Sequence, residues 1–307
     1  MGVNPALIEL FPGFAHSTVA VGDGGEDIRI HCAHGGEGPP LLLLHGYPQT
    51  HAIWHKVAQQ LAQRYSVVCA DLRGYGDSSK PAGEPDHGNY SKRVMARDQV
   101  RLMEALGFPS FAVVGHDRGG RVAHRLARDH RDRVTRLCVL DISPTLAMYE
   151  QTTMAFAQAY YHWFFLIQPA PFPEQMIGHD ARAYLRWKTG GWGSAGHGHF
   201  APAALAEYER CYDDPAAIHA SCEDYRAAAE IDLEHDRLDL NDRIRCPLLA
   251  LWGERGVVHR LFKPIEDWRA VATDVRGKPL PSGHYIAEEV PDLLLAELLP
   301  FLAEGDA

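Results

Sequence analysis

The chain has 307 residues, 46% hydrophobic and 23% charged, which is enough apolar material for a full core in one large domain or two smaller ones. Its formal net charge is −10 and no Lys/Arg cluster reverses it, which argues against nucleic acid and anionic membrane as partners. An anionic small substrate would need a local positive site. The six cysteines (Cys32, Cys69, Cys138, Cys211, Cys222, Cys246) are scattered without a C-x-x-C pair, so neither a zinc site nor a disulfide framework is suggested. Cys69 and Cys138 lie inside apolar runs, as small core residues do. No charged-then-apolar leader opens the chain, "MGVNPA" lacks the Ser/Thr of a myristoylation site, and no apolar run approaches a membrane span. The expected location is the cytoplasm.

In chain order, strand-like and helix-like segments alternate. "PLLLLHGY" (40–47) is a continuous apolar run ending in glycine and tyrosine, the pattern of a strand buried on both faces. "YSVVCADLRGYGDS" (65–78) is a second run, ending in a glycine-rich loop. "SKRVMARDQVRLMEALGF" (91–108) carries apolar residues at helical spacing with a glycine near its end. "FAVVGHD" (111–117) predicts a third strand, "GGRVAHRLARDH" (119–130) a helix, and "VTRLCVLDIS" (134–143) a fourth strand. After a long interval, "CPLLALWGE" (246–254) predicts a fifth. This rhythm means an α/β protein with a mostly parallel sheet flanked by helices.

Residues 145–243 differ in character. They are rich in aromatics and histidine ("YYHWFFLI", "WKTGGWGSAGHGHF") and hold no long strand candidate. They read as an inserted helical cap over the C-terminal edge of the sheet, where open α/β sheets bind ligands. The expected division is a core in two parts, 1–144 and 244–307, around a cap at 145–243.

"VVGHDRGG" (113–120) has the strand–turn–helix form of a nucleophile elbow, G-x-S-x-G, with Asp117 where serine is usual. A residue held between Gly115 and Gly119 is forced up and out of the sheet. Aspartate is also a common helix N-cap, so capping alone could explain Asp117. The context adds "HGYP" (45–48), Asp141 at the end of the next strand, and His284 in "SGHYIAEEVPD" (282–292). Nucleophile, acid and histidine in that order, each in a turn or loop, resemble the α/β-hydrolase superfamily. A carboxylate is a poor acyl acceptor but a competent nucleophile toward saturated carbon. Asp117 would therefore form an alkyl ester, whose carbonyl is then attacked by water activated by His284 and oriented through Asp141. The backbone N–H groups of Tyr47 and Arg118 would form the oxyanion hole for that step. Glu254, in "WGERGVV", is the rival for the acid, but Val257 and Val258 fall about where the acid sits in many relatives.

Arg118 and Arg121 open the elbow helix three residues apart, on one face, where they oppose the helix dipole. Either an internal carboxylate pairs with one of them, or together they clamp a substrate carboxylate beside the attacking oxygen. Here "GHDRGGRVAHRLA" resembles the nucleophile segment of the fluoroacetate (haloacetate) dehalogenases. The resemblance covers nearly the whole chain and implies that Asp117 is the nucleophile and that Arg118 and Arg121 bind the substrate carboxylate. It implies too that His162 and Trp163 of "YYHW" and Tyr225 of "CEDYRA" hydrogen-bond the departing halide. Haloalkane dehalogenases have tryptophan directly after the nucleophile, where this chain has Arg118. Tyr47 replaces a phenylalanine frequent in the family, with little consequence expected if only its backbone acts. Trp192 is a candidate for limiting pocket size. Tyr149 is a candidate for the pocket mouth, with Met148 as its alternative if the register shifts.

The implied reaction is dehalogenation of short 2-haloacids, fluoroacetate giving glycolate. No metal or organic cofactor is implied, because nucleophile, base and donors are all side chains. A homodimer is expected from the resemblance alone. The nearest rival is an epoxide hydrolase using Asp117, His284 and two cap tyrosines, which leaves the arginine pair unexplained. A non-catalytic small-acid binding protein on the same fold is the rival from another class.

Overall fold

The computed structural model describes residues 5–22, 25–194 and 196–304. Met1–Asn4, on which the myristoylation reading partly rests, lie outside them. Eight strands form one sheet in the order β1-β2-β4-β3-β5-β6-β7-β8. Their ranges are β1 Ala15–Ala20, β2 Arg29–Gly35, β3 Pro40–Leu44, β4 Ser66–Ala70, β5 Phe111–His116, β6 Val134–Leu140, β7 Leu248–Gly253 and β8 Val275–Leu280. From β4 to β8 every neighbouring pair is parallel, and β2 joins β1 and β4 antiparallel.

The five strands legible in the sequence are the buried ones. Leu41–Leu44 of β3 and Val113 and Val114 of β5 have no exposed surface, because helices cover both faces. Burial of this kind contributes roughly 1.5–3 kcal/mol per large aliphatic side chain. The outer strands β1 and β8 are different, since residues along both alternate between exposed and partly buried. Pro279 in β8 is tolerated because an edge strand leaves one row of backbone groups unpaired.

After β3 the chain crosses to β4 on one side, then returns past β3 to build β5 and β6 on the other. The β3/β5 boundary is thus the topological switch point, and the loops following those strands open a crevice at the C-terminal edge of the sheet. Residues 45–48 leave β3 there, Asp117 leaves β5 and Asp141 leaves β6. His284 follows β8. Between β6 and β7 the described residues form helices joined by turns and loops, with one isolated bridge from Ile244 to Ala272; the helices include Thr145–Glu150, His162–Phe165, Ala181–Thr189 and Pro215–Ala229. Among the described residues no helix is long and apolar enough to cross a membrane.

Candidate active site

The turn from β5 into the helix Arg118–Asp129 has no space for side chains on its glycines. A methyl group on Gly115 would stand 2.4 Å from the Gly119 carbonyl oxygen, and one on Gly119 2.4 Å from the carbonyl oxygens of Leu44 and His45. Asp117, between them, is held at φ +47°, ψ −113°, a conformation costly for any residue with a Cβ. It occupies the N-cap position, yet its side chain makes no capping hydrogen bond. Instead Oδ1 accepts the Tyr47 backbone N–H at 3.0 Å. Capping therefore does not account for this aspartate. Burial alone would raise its pKa, but the charge of His284 and Arg121, and then of His116 and Arg118, holds it below the ordinary carboxylate value.

His284 Nδ1 lies 2.5 Å from Asp141 Oδ2. A carboxylate can only accept, so Nδ1 carries the hydrogen and Nε2 of the neutral ring keeps its lone pair. That Nε2 is buried and makes no hydrogen bond. Asp141, at φ +53°, is fixed from its other oxygen, which accepts the Gly253 N–H at 3.0 Å. Glu254 is exposed, so the carboxylate on His284 is Asp141. Burial pushes the His284 pKa down, but the hydrogen bond to Asp141 and the charges of Asp141 and Asp117 outweigh it, and the value rises. His116, with its ring centre 4.5 Å from that of His284, is lowered to about 3 by burial and by its neighbour, and its Nε2–H donates to the His284 carbonyl.

The two arginines part company. Arg118 is bound to Asp224 through Nε at 2.8 Å and Nη2 at 2.7 Å, and stacks 4.1 Å over the Tyr225 ring. Asp224 also receives Lys92 Nζ and the Tyr75 hydroxyl, so this cation is neutralised by the internal carboxylate that one sequence reading allowed. Only Nη1 of Arg118 makes no hydrogen bond. Arg121 donates to neutral groups, Thr145 Oγ1 at 2.9 Å, the Ser143 carbonyl at 3.3 Å and Met148 Sδ at 3.2 Å. It is 2% exposed, its Nε is unpartnered, and among the described residues it bonds no carboxylate. Burial and the charge of Arg118 lower its pKa, as expected of a buried cation short of negative charge.

His162, Trp163 and Tyr225 meet above this floor. Ring centres lie 5.6 Å apart for His162 and Tyr225, and 6.3 Å for Trp163 and Tyr225. Their polar atoms (His162 Nδ1, Trp163 Nε1, Tyr225 Oη) are buried and make no hydrogen bond. Burial, with the charges of Lys188, His284 and both arginines, pushes His162 well below the usual histidine value, so the ring is neutral and carries one N–H. Trp192, at φ +60°, bridges cap and core, 4.8 Å from His162 and 5.1 Å from His284. Tyr149 and Met148 both reach this neighbourhood, Met148 through Arg121 and Tyr149 through its ring, 4.9 Å from Trp163.

Two contributors were missed by sequence reasoning, and a third, Tyr160, was only one of several cap tyrosines open to the epoxide reading. Its hydroxyl is buried and unpartnered beside His162 and Trp192. Asp224 directly precedes Tyr225, but nothing local ties it to Arg118. The Tyr47 side chain, given no part by the sequence, has one. Its hydroxyl bonds those of Tyr212 at 2.8 Å and Tyr184 at 3.2 Å, tying the loop after β3 to the helices Pro202–Tyr212 and Ala181–Thr189.

With the geometry in hand, the relatives can be compared. A family model described as alpha/beta hydrolase fold matches residues 39–286. A fluoroacetate dehalogenase from Burkholderia sp is 49% identical over 296 residues, 96% of either chain. A soluble epoxide hydrolase from Corynebacterium sp. (strain C12) is 34% identical over 278 residues, 90% of this chain and 94% of its own. A solved structure described as an alpha/beta hydrolase from Nostoc sp PCC 7120 superimposes with a TM-score of 0.93 at 54% identity, covering 96% of this chain and 99% of its own.

Proposed function

We propose, for a chain that belongs to the alpha/beta hydrolase family, the hydrolytic cleavage of carbon–halide bonds in short 2-haloacids, with fluoroacetate and chloroacetate giving glycolate. One observation carries the reading: a buried ionised aspartate at the elbow stands near a buried arginine, Arg121, that has no carboxylate of its own. The first suits attack on saturated carbon and the second calls for an anion. The dehalogenase relative, at 49% identity over nearly the full length, supports the same reaction class.

In this reading Arg121 and the free Nη1 of Arg118 hold the substrate carboxylate. Asp117 attacks Cα from the side opposite the halogen, a carbon–oxygen bond forms as the carbon–halogen bond breaks, and its electrons leave with the halide. Fluoride is strongly basic and strongly hydrated, so N–H and O–H groups must replace its water shell. His162, Trp163 and Tyr225 supply them. Water, losing a proton to His284 Nε2, then adds to the Asp117 ester carbonyl. The oxyanion is met by the backbone N–H groups of Tyr47 and Arg118, and collapse, with His284 returning its proton to the leaving alkoxide, releases the 2-hydroxy acid, and Asp117 loses the carboxyl proton to solvent as the carboxylate is restored. Residues 145–243 act as the cap that keeps bulk water away. The resemblance adds a homodimer, which sedimentation would check.

The test is halide release from fluoroacetate and chloroacetate side by side, with Asp117→Asn as the blank. Release abolished by the substitution supports the reading, and trapping in His284→Asn should add one carboxymethyl group to the peptide holding Asp117. A second reading, epoxide hydrolysis, draws on the unpartnered hydroxyls of Tyr149, Tyr160 and Tyr225, any two of which could protonate an epoxide oxygen. It leaves Arg121 without a ligand. Styrene oxide turnover with no halide release from either acid would decide for it.

A further inference from the structure

On the far side of the sheet order from His284, three histidines converge. In the β1/β2 hairpin Thr18 pairs with His31 and His16 with Ala33, so His16 and His31 lie diagonally on one face. The short helix His51–Trp54, just past the oxyanion loop, places His51 against that face, with ring centres 5.2 Å from His31 and 6.2 Å from His16. One nitrogen from each ring lies within 4.8 Å of the others. Four ring nitrogens here, His16 Nδ1 and Nε2, His31 Nε2 and His51 Nε2, are buried and make no hydrogen bond. His31 is 6% exposed and His51 0%.

The neighbours of these rings fix which nitrogen is free. His51 Nδ1 lies 2.8 Å from Asp71 Oδ1, and because the carboxylate accepts, Nδ1 bears the hydrogen and in the neutral ring Nε2 presents its lone pair. Thr18 Oγ1 engages His31 Nδ1 at 3.3 Å, which leaves His31 Nε2 as the nitrogen facing the cluster, with its lone pair free when Nδ1 donates to the hydroxyl. Asp71 is itself fixed by the His51 and Asp77 backbone N–H groups. A carboxylate behind a histidine, orienting the ring and adding negative charge, is the usual outer partner of a metal-bound imidazole. Packing alone would need no such set of inward lone pairs, and it leaves them unsatisfied.

We propose that His16, His31 and His51 form a binding site for one divalent transition-metal ion of the zinc class, with Asp71 as its outer carboxylate. Three imidazoles suit zinc, copper, nickel or cobalt rather than magnesium or calcium. A tetrahedral ion with metal–nitrogen bonds of about 2.0–2.1 Å needs its ligand atoms about 3.4 Å apart. The half-buried His16 provides the remaining movement by ring rotation. The fourth position is left to solvent. Such an ion would clip the antiparallel edge of the sheet to the segment that carries Tyr47.

The test uses the full chain without an affinity tag, stripped with chelator and dialysed against zinc chloride. One equivalent should be retained, and at about a hundred times the dissociation constant the melting temperature should rise by roughly 5 °C. His16→Ala should abolish both effects, with His31→Gln as the second variant should His16→Ala fail to fold. His284→Asn should leave them unchanged. No retained zinc would overturn the proposal. So would retention that survives both hairpin substitutions, or that is lost in His284→Asn instead.

Discussion

The core and cap sides of the site differ in how their polar side chains are held: the core carboxylates and His284 are each anchored by a hydrogen bond, while single atoms such as His284 Nε2 and Arg121 Nε stay free. On the core side Asp117 accepts from Tyr47, His284 donates to Asp141, and Asp141 accepts from Gly253. On the cap side His162, Trp163, Tyr225, Tyr149 and Tyr160 each bring a buried polar atom that bonds nothing. Buried polar groups left unpaired are costly, on the order of 1–3 kcal/mol each. A fold keeps several together where a ligand supplies the missing partners. In the proposed reaction the core would run the chemistry and hold the acid through its arginines, and the cap would meet the leaving group.

That contrast can be broken at its strongest point first. Asp117→Asn should lower turnover by about 10⁴-fold or more while the fold persists, since an amide is no nucleophile. Halide release and thermal melting would separate the two effects. The arginines test the division on a single helix. Arg121→Met should cost about 10²–10³ in kcat/KM, as for loss of charge-assisted hydrogen bonds to a substrate carboxylate, with a nearly unchanged melting temperature. Arg118→Met should destabilise the protein by about 2–3 kcal/mol, because Asp224 loses two charge-assisted hydrogen bonds and keeps Lys92 as its cation. Equal effects of the two on stability would erase the distinction.

A smaller effect belongs to the cap. Trp163→Phe should slow fluoride release by about 10²-fold, the scale of losing one preorganised donor, and chloride release much less, because chloride needs less solvation. Equal loss for both halides would mean that Trp163 only packs. The smallest effect is a titration. His284 must be neutral to take a proton, so ester hydrolysis should rise with pH through its pKa, which in the free protein is raised above the ordinary histidine value by Asp141. Part of that elevation comes from the charge of Asp117. Esterification removes that charge, and Asp117→Asn mimics its loss, so the histidine should titrate at lower pH in that variant. Histidine NMR would check the direction, and an upward shift would contradict it.

Which parts of this were legible in the sequence follows from how locally each is encoded. The buried strands β3 to β7 are continuous apolar runs. The elbow needs its glycines within a few residues, and Asp141 and His284 each close a recognisable strand or turn. The outer strands β1, β2 and β8 were not found. β1 mixes small and polar residues, β2 opens with a charge and ends in glycine, and β8 includes Gly277 and Pro279. The carboxylate that neutralises Arg118 lies 106 residues away, and no periodicity announces it. The same holds for His16, His31 and His51, whose spacing fits no metal motif and which meet only through the hairpin register.

Trp192 carries a consequence for how this scaffold can change. It packs between His162 and His284 from a left-handed backbone position, φ +60°, where a residue with a Cβ is strained and glycine is not, and in the proposed reaction it would form part of the pocket wall. The replacement that would open the most room for a bulkier acid is also the one its backbone prefers. At most pocket positions a gain in breadth costs stability. At this one the two effects partly offset each other, so a lineage under selection for larger substrates has an inexpensive first step.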